Sequence, residues 1–468
     1  MTWHTSRMLV AGLLAASWSC SGSSVGKHAT AAATVRPLGP EECRAAEGAV
    51  DVVHHAVDLS IHPALRALHG EGTIRVRARR STEIIVLDAH ELRIASVRSN
   101  ARALETRTAG GHLCMRLPSP LPALAETSID AAWDASAHGA LHVGDDQVWA
   151  GYDAAAWMPT LQDPAQRATL ALRIEAPPEW KVTGSGSASP QGALGAGGRA
   201  LRVFELNRPS PPFLYAFAAG QFDEAHLEVD GVTLRAWGPP GEDLREALTT
   251  TATTLRFFQK RIGEPLPVAE YRQIFVRDDG QAQEAAGFAL LGANALADLR
   301  QTPREDWIFS HELAHQWFGW LIPCVDFLDF WLNEGFATFM VAAAKEERWG
   351  RADYDREVAL WRKRSAKVHA EGHDAPISLA PPGLPRRPIA DSELQARGVT
   401  YARGALVLHK LRTELGDELF WEAIRRYVAQ RPSRGATTEY LRAAFDDVTG
   451  RDMRPFFATW VYANAPDL

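Results

Sequence analysis

Two histidines, His311 and His315, stand four residues apart, with Glu312 directly after the first. On a helix that spacing projects both imidazoles from one face about a turn apart, so both can reach one ion. Two neutral imidazoles and one carboxylate, with a fourth position left for water, make the usual catalytic zinc set; a structural site is closed by four protein ligands. Glu312 adjoins the first ligand but lies to the side of that face. It can reach a water at the ion without ligating the ion, which is the place of a general base. The third ligand must be acidic and must come from a neighbouring helix. Glu334, after a gap of eighteen residues, meets both demands. Two exposed helix histidines and a first-turn carboxylate favoured by the helix dipole would leave this joint spacing unexplained. The set predicts one zinc per chain and metal-assisted hydrolysis.

Such a site needs two helices at fixed positions, and the flanking residues predict them. Thr302, Pro303 and Glu305 sit where an N-cap, a first-turn proline and a capping-box glutamate belong for a helix over residues 303–318, ended by Gly319. A second helix is expected over 333–349, capped by Asn333 and closed by Gly350. Helical spacing also covers 243–261, 354–369, 400–415 and 418–429, followed by two short helices, with one strand at 271–276. The front of the chain reads differently. Period-two runs such as 72–78 and 169–174, punctuated by Pro177-Pro178, Gly184-Ser185-Gly186 and Pro209-Ser210-Pro211-Pro212, predict many largely antiparallel strands. The expected class is α+β: a β-rich domain over 49–237, then, beyond Gly238-Pro239-Pro240-Gly241, a mainly α catalytic domain over 238–468.

Arg7, an apolar run over 8–16 and the small residues Ser17 and Ser19 read as a secretory signal over 1–20, too short to span a bilayer. Cys20 follows directly, so either lipid attachment or ordinary cleavage nearby processes it; Ser17 and Trp18 depart from the lipoprotein pattern. Residues 21–48 are expected to be a flexible linker. The destination is outside the cytoplasm: periplasmic, tethered to an outer membrane through lipid on Cys20, or secreted. Export permits a disulfide, and the shared front-half location of Cys43 and Cys114 favours that pair, leaving an odd thiol. With 50 Lys and Arg against 57 Asp and Glu and no long single-sign block, nucleic acid is not an expected partner.

The stretches His311-Glu312-Leu313-Ala314-His315-Gln316-Trp317-Phe318-Gly319 and Trp331-Leu332-Asn333-Glu334-Gly335-Phe336-Ala337 resemble the two zinc motifs of the gluzincin aminopeptidases nearly letter for letter. The likeness extends over about 50–468. It implies a thermolysin-like catalytic domain behind the β-rich one, without the C-terminal helical domain of larger members and so with a more open cleft. Thr400-Tyr401-Ala402-Arg403-Gly404 is similar to the segment whose tyrosine donates to the oxyanion, which implies that role for Tyr401. That pattern has lysine where Arg403 stands. The family's Gly-x-Met-Glu-Asn segment, whose glutamate binds the substrate's α-amine, is reduced to Gln281-Ala282-Gln283-Glu284-Ala285-Ala286-Gly287, which implies that role for Glu284. A second amine-binding acid or amide is expected near Ala150 or Gly151, neither of which can serve, so Asp153 or Gln147 is the expected substitute.

The resemblance implies removal of N-terminal residues from peptides with a free amino terminus. An endopeptidase with an open cleft shares the same zinc chemistry. A surface-tethered zinc-binding module without turnover is the reading from another class, but it gives no reason for ligands, base and Tyr401 to persist together.

Overall fold

The computed structural model describes residues 37–189, 193–383, 395–430 and 435–464, so the signal over 1–20, Cys20 and most of the expected linker lie outside the described residues. From Leu38 onward the chain is one compact unit. The linker expected through residue 48 is corrected here: Pro40–Ala46 is a helix with proline in its first turn, and the Glu42 carboxylate accepts from the Gly39 amide. A disulfide joins its Cys43 to Cys114 in the strand His112–Leu121, while Cys324 is a buried free thiol.

The front half is β-rich, as its period-two runs predict. Val50–His62 lies centrally in a nine-stranded sheet, antiparallel to Ala67–Ala78 and parallel to Ala168–Ala176. Alternation sends Val57, Leu59 and Ile61 into the core. A bulge between Val52 and His54 shifts the register, and His55 beyond it is fully buried, edge-on to Tyr215, with neither ring nitrogen bonded. Burial, with His54 adding to it, lowers the pKa of His55 to about 3. The unfolded chain takes up this proton below about pH 6.5 and the native chain does not, so native stability falls with pH from 6.5 toward 3, by about 1.4 kcal/mol per pH unit. Urea unfolding at pH 7.5 and pH 5 is therefore expected to show His55→Leu losing about 2 kcal/mol less than wild type on acidification. An equal loss in both proteins would remove His55 as the cause.

The helical half builds its own core, to which Phe309, Trp317, Phe336, Phe339 and Tyr427 contribute. Between the halves lies a five-stranded sheet, in the order Asp223–Val229, Val232–Gly238, Glu270–Val276, Phe288–Gly292, Ala282–Ala285. Two of its strands precede the boundary expected at 237/238 and three follow it, so that boundary falls inside a hydrogen-bonded ladder. The helical spacing begins at 238 because a helix follows, Arg245–Ile262 ended by left-handed Gly263, but the sheet does not break there. Nor is Glu270–Val276 a lone strand: Ala282–Ala285 and Phe288–Gly292 form a hairpin beside it. Buried Arg272 fastens the halves, donating to Thr183 Oγ1 and, at 2.7 Å, to the Gly186 carbonyl, with its guanidinium over the rings of Phe204 and Phe288.

Helix starts differ from the expected ones. Thr302 closes a separate helix, Asn294–Gln301, and the histidine helix runs Trp307–Ala314. The second helix begins at Trp331, behind a 3-10 turn whose Asp326 carboxylate accepts from the Leu328 amide. Asn333 is therefore not a cap; it is buried inside the helix, where its side-chain oxygen accepts from the Cys324 amide at 3.1 Å. Gly350 does close that helix.

Candidate metal centre and active site

His311 lies in the last turn of Trp307–Ala314 and His315 caps that helix. Glu334 is in the first turn of Trp331–Trp349. Its Oε2 lies 3.2 Å from His311 Nε2 and 3.5 Å from His315 Nε2, and one donor atom from each residue falls within 4.8 Å of the others. All three are buried. The Phe318 carbonyl, 3.0 Å from His315 Nδ1, can only accept, so Nδ1 carries a proton and Nε2 is the nitrogen turned toward Glu334. Left-handed Gly319 makes this turn possible: a Cβ there would stand 3.2 Å from the His315 carbonyl oxygen.

Two further glycines set the distance to the third helix. Ala396–Arg403 is a π-helical segment that runs on into Gly404–Gln430, which is broken at Gly416. A Cβ on Gly335 would lie 2.9 Å from the Gly404 Cα, so the Glu334 helix and the Tyr401 helix meet backbone to backbone. The contact places the Tyr401 ring parallel to His311 at 6.0 Å between centroids. Buried Arg403 pins the segment from behind, bonding to Ser365 Oγ at 2.8 Å and to Asp374. A π-helical turn at a functional side chain is a frequent device for aiming it.

Glu312 and Glu284 complete the cluster. Each has a donor atom within 4.8 Å of the other's and of His315, and each keeps one buried carboxylate oxygen without a partner, Oε2 in Glu312 and Oε1 in Glu284. Glu284 reaches this place because its hairpin is tied to the histidine helix. Gln316 Nε2 donates to the Ala285 carbonyl and Gln316 Oε1 accepts from the Gly287 amide, both at 3.1 Å.

Burial governs the electrostatics. It pushes the Glu312 carboxyl well above the ordinary range, with Glu284 and Glu334 adding to the effect against His315, and it raises Glu284 to about 7. Burial also works against ionised Glu334, but His315 and the hydrogen bond to His311 outweigh it and hold that carboxyl low. His315 is raised to about 10 by the carboxylates around it, in spite of its burial. Three buried carboxylates around two imidazoles demand positive charge. A divalent cation held by His311, His315 and Glu334 would supply it in place of a proton, and two nitrogens with one oxygen suit zinc.

Residues 246–460 match the peptidase family M1 domain. Over that stretch, just under half of its length, the chain is similar to this family. Aminopeptidase 2 of Saccharomyces cerevisiae is 25% identical over 319 residues, covering 66% of this chain and 33% of its own, and aminopeptidase N of Streptomyces lividans is 26% identical over 325 residues, covering 64% and 36%. This chain thus spans about a third of the length of those relatives. An M1 zinc metallopeptidase from Deinococcus radiodurans shares the fold at TM-score 0.73 and 22% identity, over 90% of this chain and 96% of its own. A mutant of that protein has been solved with a Tyr-Ser-Ala substrate.

His311, Glu312, His315, Glu334, Glu284 and Tyr401 stand together, but the expected substitutes for the second amine contact do not join them. Asp153 is engaged with the Ala155 amide and, at 2.7 Å, with His90 Nδ1, and Gln147 accepts from the Arg277 amide at 2.9 Å. Both are corrected on that ground. Gln316, Gly335 and Gly404 hold the site and were assigned no role from sequence; Gln316 carried a signal, standing directly after His315. Beside Tyr401 opens a cavity of about 330 Å³, walled by Tyr152, Phe327, Phe330, Trp331, Ile377 and Val399. Tyr152 enters that wall with a left-handed backbone, φ 62°.

Proposed function

We propose that the protein is a zinc-dependent aminopeptidase that removes N-terminal residues from peptides, with His311, His315 and Glu334 as ligands, Glu312 as base, Tyr401 at the oxyanion and Glu284 at the substrate amine. The observation that carries this reading is the single buried cluster in which the His311, His315 and Glu334 donors converge while Glu312 and Glu284 keep one free oxygen each. Zinc held there supplies Lewis acidity to a water and to the peptide carbonyl. Glu312, free of ligand duty, takes the proton of the attacking water and returns it to the leaving amine. Tyr401, whose hydroxyl burial keeps protonated far above neutral pH with Glu334 adding to the effect, donates to the oxygen that gains charge during attack. A free oxygen on Glu284, a few ångströms from the reacting centre, accepts an ammonium group and so sets the first peptide bond over the metal. The apolar cavity beside Tyr401 takes an apolar or aromatic substrate side chain, which agrees with the peptide bound by the Deinococcus relative.

Matched peptides with free and acetylated amino termini test this. Mass spectrometry is expected to show stepwise loss of first residues from the free peptide only, by protein carrying about one zinc per chain, and loss of that activity to a chelator. Equal cleavage of both peptides at internal bonds would replace the reading with endopeptidase chemistry.

We also infer that the chain is exported through the signal over 1–20, with lipid on Cys20 as one route of retention. The disulfide between Cys43 and Cys114 supports an oxidising destination, and among the described residues no helix is long and apolar enough to cross a membrane. The shared five-stranded sheet supports a catalytic unit that begins near residue 222.

A further inference from the structure

Ala282–Ala285 is the edge strand of its sheet, and among the described residues its one strand partner is Phe288–Gly292. Neighbours on a strand project to opposite faces, so Gln283 and Glu284 would ordinarily point apart. Here they do not: Gln283 Nε2 lies 2.6 Å from Glu284 Oε2 and 3.1 Å from the Glu284 carbonyl oxygen, so the amide curls back over its own strand. Space for the curl comes from across the cleft. A Cβ at Gly151 would stand 3.2 Å from Gln283 Cγ and 3.1 Å from Leu290 Cδ1, so the side chain that Gly151 lacks is replaced in volume by the methylenes of Gln283.

The consequence lies in which atoms remain. The amide hydrogens are spent on Glu284 Oε2 and the backbone carbonyl. Glu284 Oε1, buried and unbonded, is left as an acceptor, and the one polar atom of Gln283 not spent on these bonds is its side-chain carbonyl oxygen, on the same amide that holds Glu284 Oε2. An α-ammonium has three N–H donors and is best held by more than one acceptor. We propose that Gln283 is the second amine-binding group of this site, sharing the substrate ammonium with Glu284 through its side-chain carbonyl. Gln283 thus also fixes the Glu284 carboxylate before substrate arrives, which lowers the ordering cost of binding. The proposal rests on the reading of Glu284 given above.

Calorimetry on the zinc-loaded full chain carrying Glu312→Gln, which is expected to bind without turnover, tests it with an alanyl tripeptide and its acetylated counterpart. Methionine matches glutamine in length and lacks its polar atoms. Gln283→Met is expected to weaken the free tripeptide about tenfold or more and to leave the acetylated one unchanged; Gln283→Ala gives the same pattern. Equal weakening of both peptides would make Gln283 a packing residue and overturn the proposal, as would unchanged affinity for both. Glu284→Ala in the same background separates the two claims. If it too fails to discriminate the peptides, the amine reading of the site falls; if it discriminates and the Gln283 variants do not, only the role of Gln283 falls.

Discussion

Glu312→Gln is expected to lower kcat by about 10²-fold or more while the protein still purifies with its zinc. The amide has nearly the same shape as the carboxylate and none of its basicity. Glu312 gives no atom to the His311, His315 and Glu334 set, so the ligands remain as they are. Its Oε2 has no hydrogen bond to lose within the protein, so the substitution takes no contact from the cleft at that atom. Steady-state kinetics with metal analysis on the same sample decide the matter. Turnover near the wild-type rate would take the proton-transfer role from Glu312, and loss of zinc together with activity would mean that the substitution had reached the ligands.

Tyr401→Phe is expected to reduce kcat by about 10² to 10³ with little change in KM, because the charge its hydroxyl meets exists only after attack. The substitution removes one oxygen and keeps the ring that stacks on His311, and Arg403 still anchors the π-helical segment through Ser365 and Asp374. A loss confined to KM would instead place Tyr401 in substrate binding, and an unchanged rate would reduce it to an aromatic wall of the cavity.

What sequence made legible here is what is local in space. Four residues on one helix fix the His311 and His315 geometry by themselves, and the alternation in Val50–His62 fixes which side chains enter the core. What it hid depends on the partner across a gap. Thr302 reads as a helix cap, yet the chain closes one helix there and opens the next after Asp306, whose carboxylate is held by Arg348 on the following helix. Asn333 reads as a cap and is a buried acceptor for Cys324. Gly335 and Gly404 are sixty-nine positions apart, and only their meeting shows why neither carries a side chain. The eroded segment around Glu284 looked damaged because its compensation depends on a bend of Gln283 that no spacing rule encodes.

The five-stranded sheet limits how such a chain can be recombined with its relatives. Composition changes at 238, and a chimaera designed on composition would be spliced there. That seam would give one parent the strands Asp223–Val229 and Val232–Gly238 and the other the strand Glu270–Val276, so the parallel ladder from Thr233–Glu270 to Trp237–Ile274 would have to form between sequences never matched to each other. Moving the seam to the turn before Asp223 leaves that sheet with a single parent. Junctions would still be inherited across the seam, among them Arg272 against Gly186 and Gln283 against Gly151. The front half is therefore a co-adapted wall of the catalytic cleft, and exchange of either half carries the other's side chains with it.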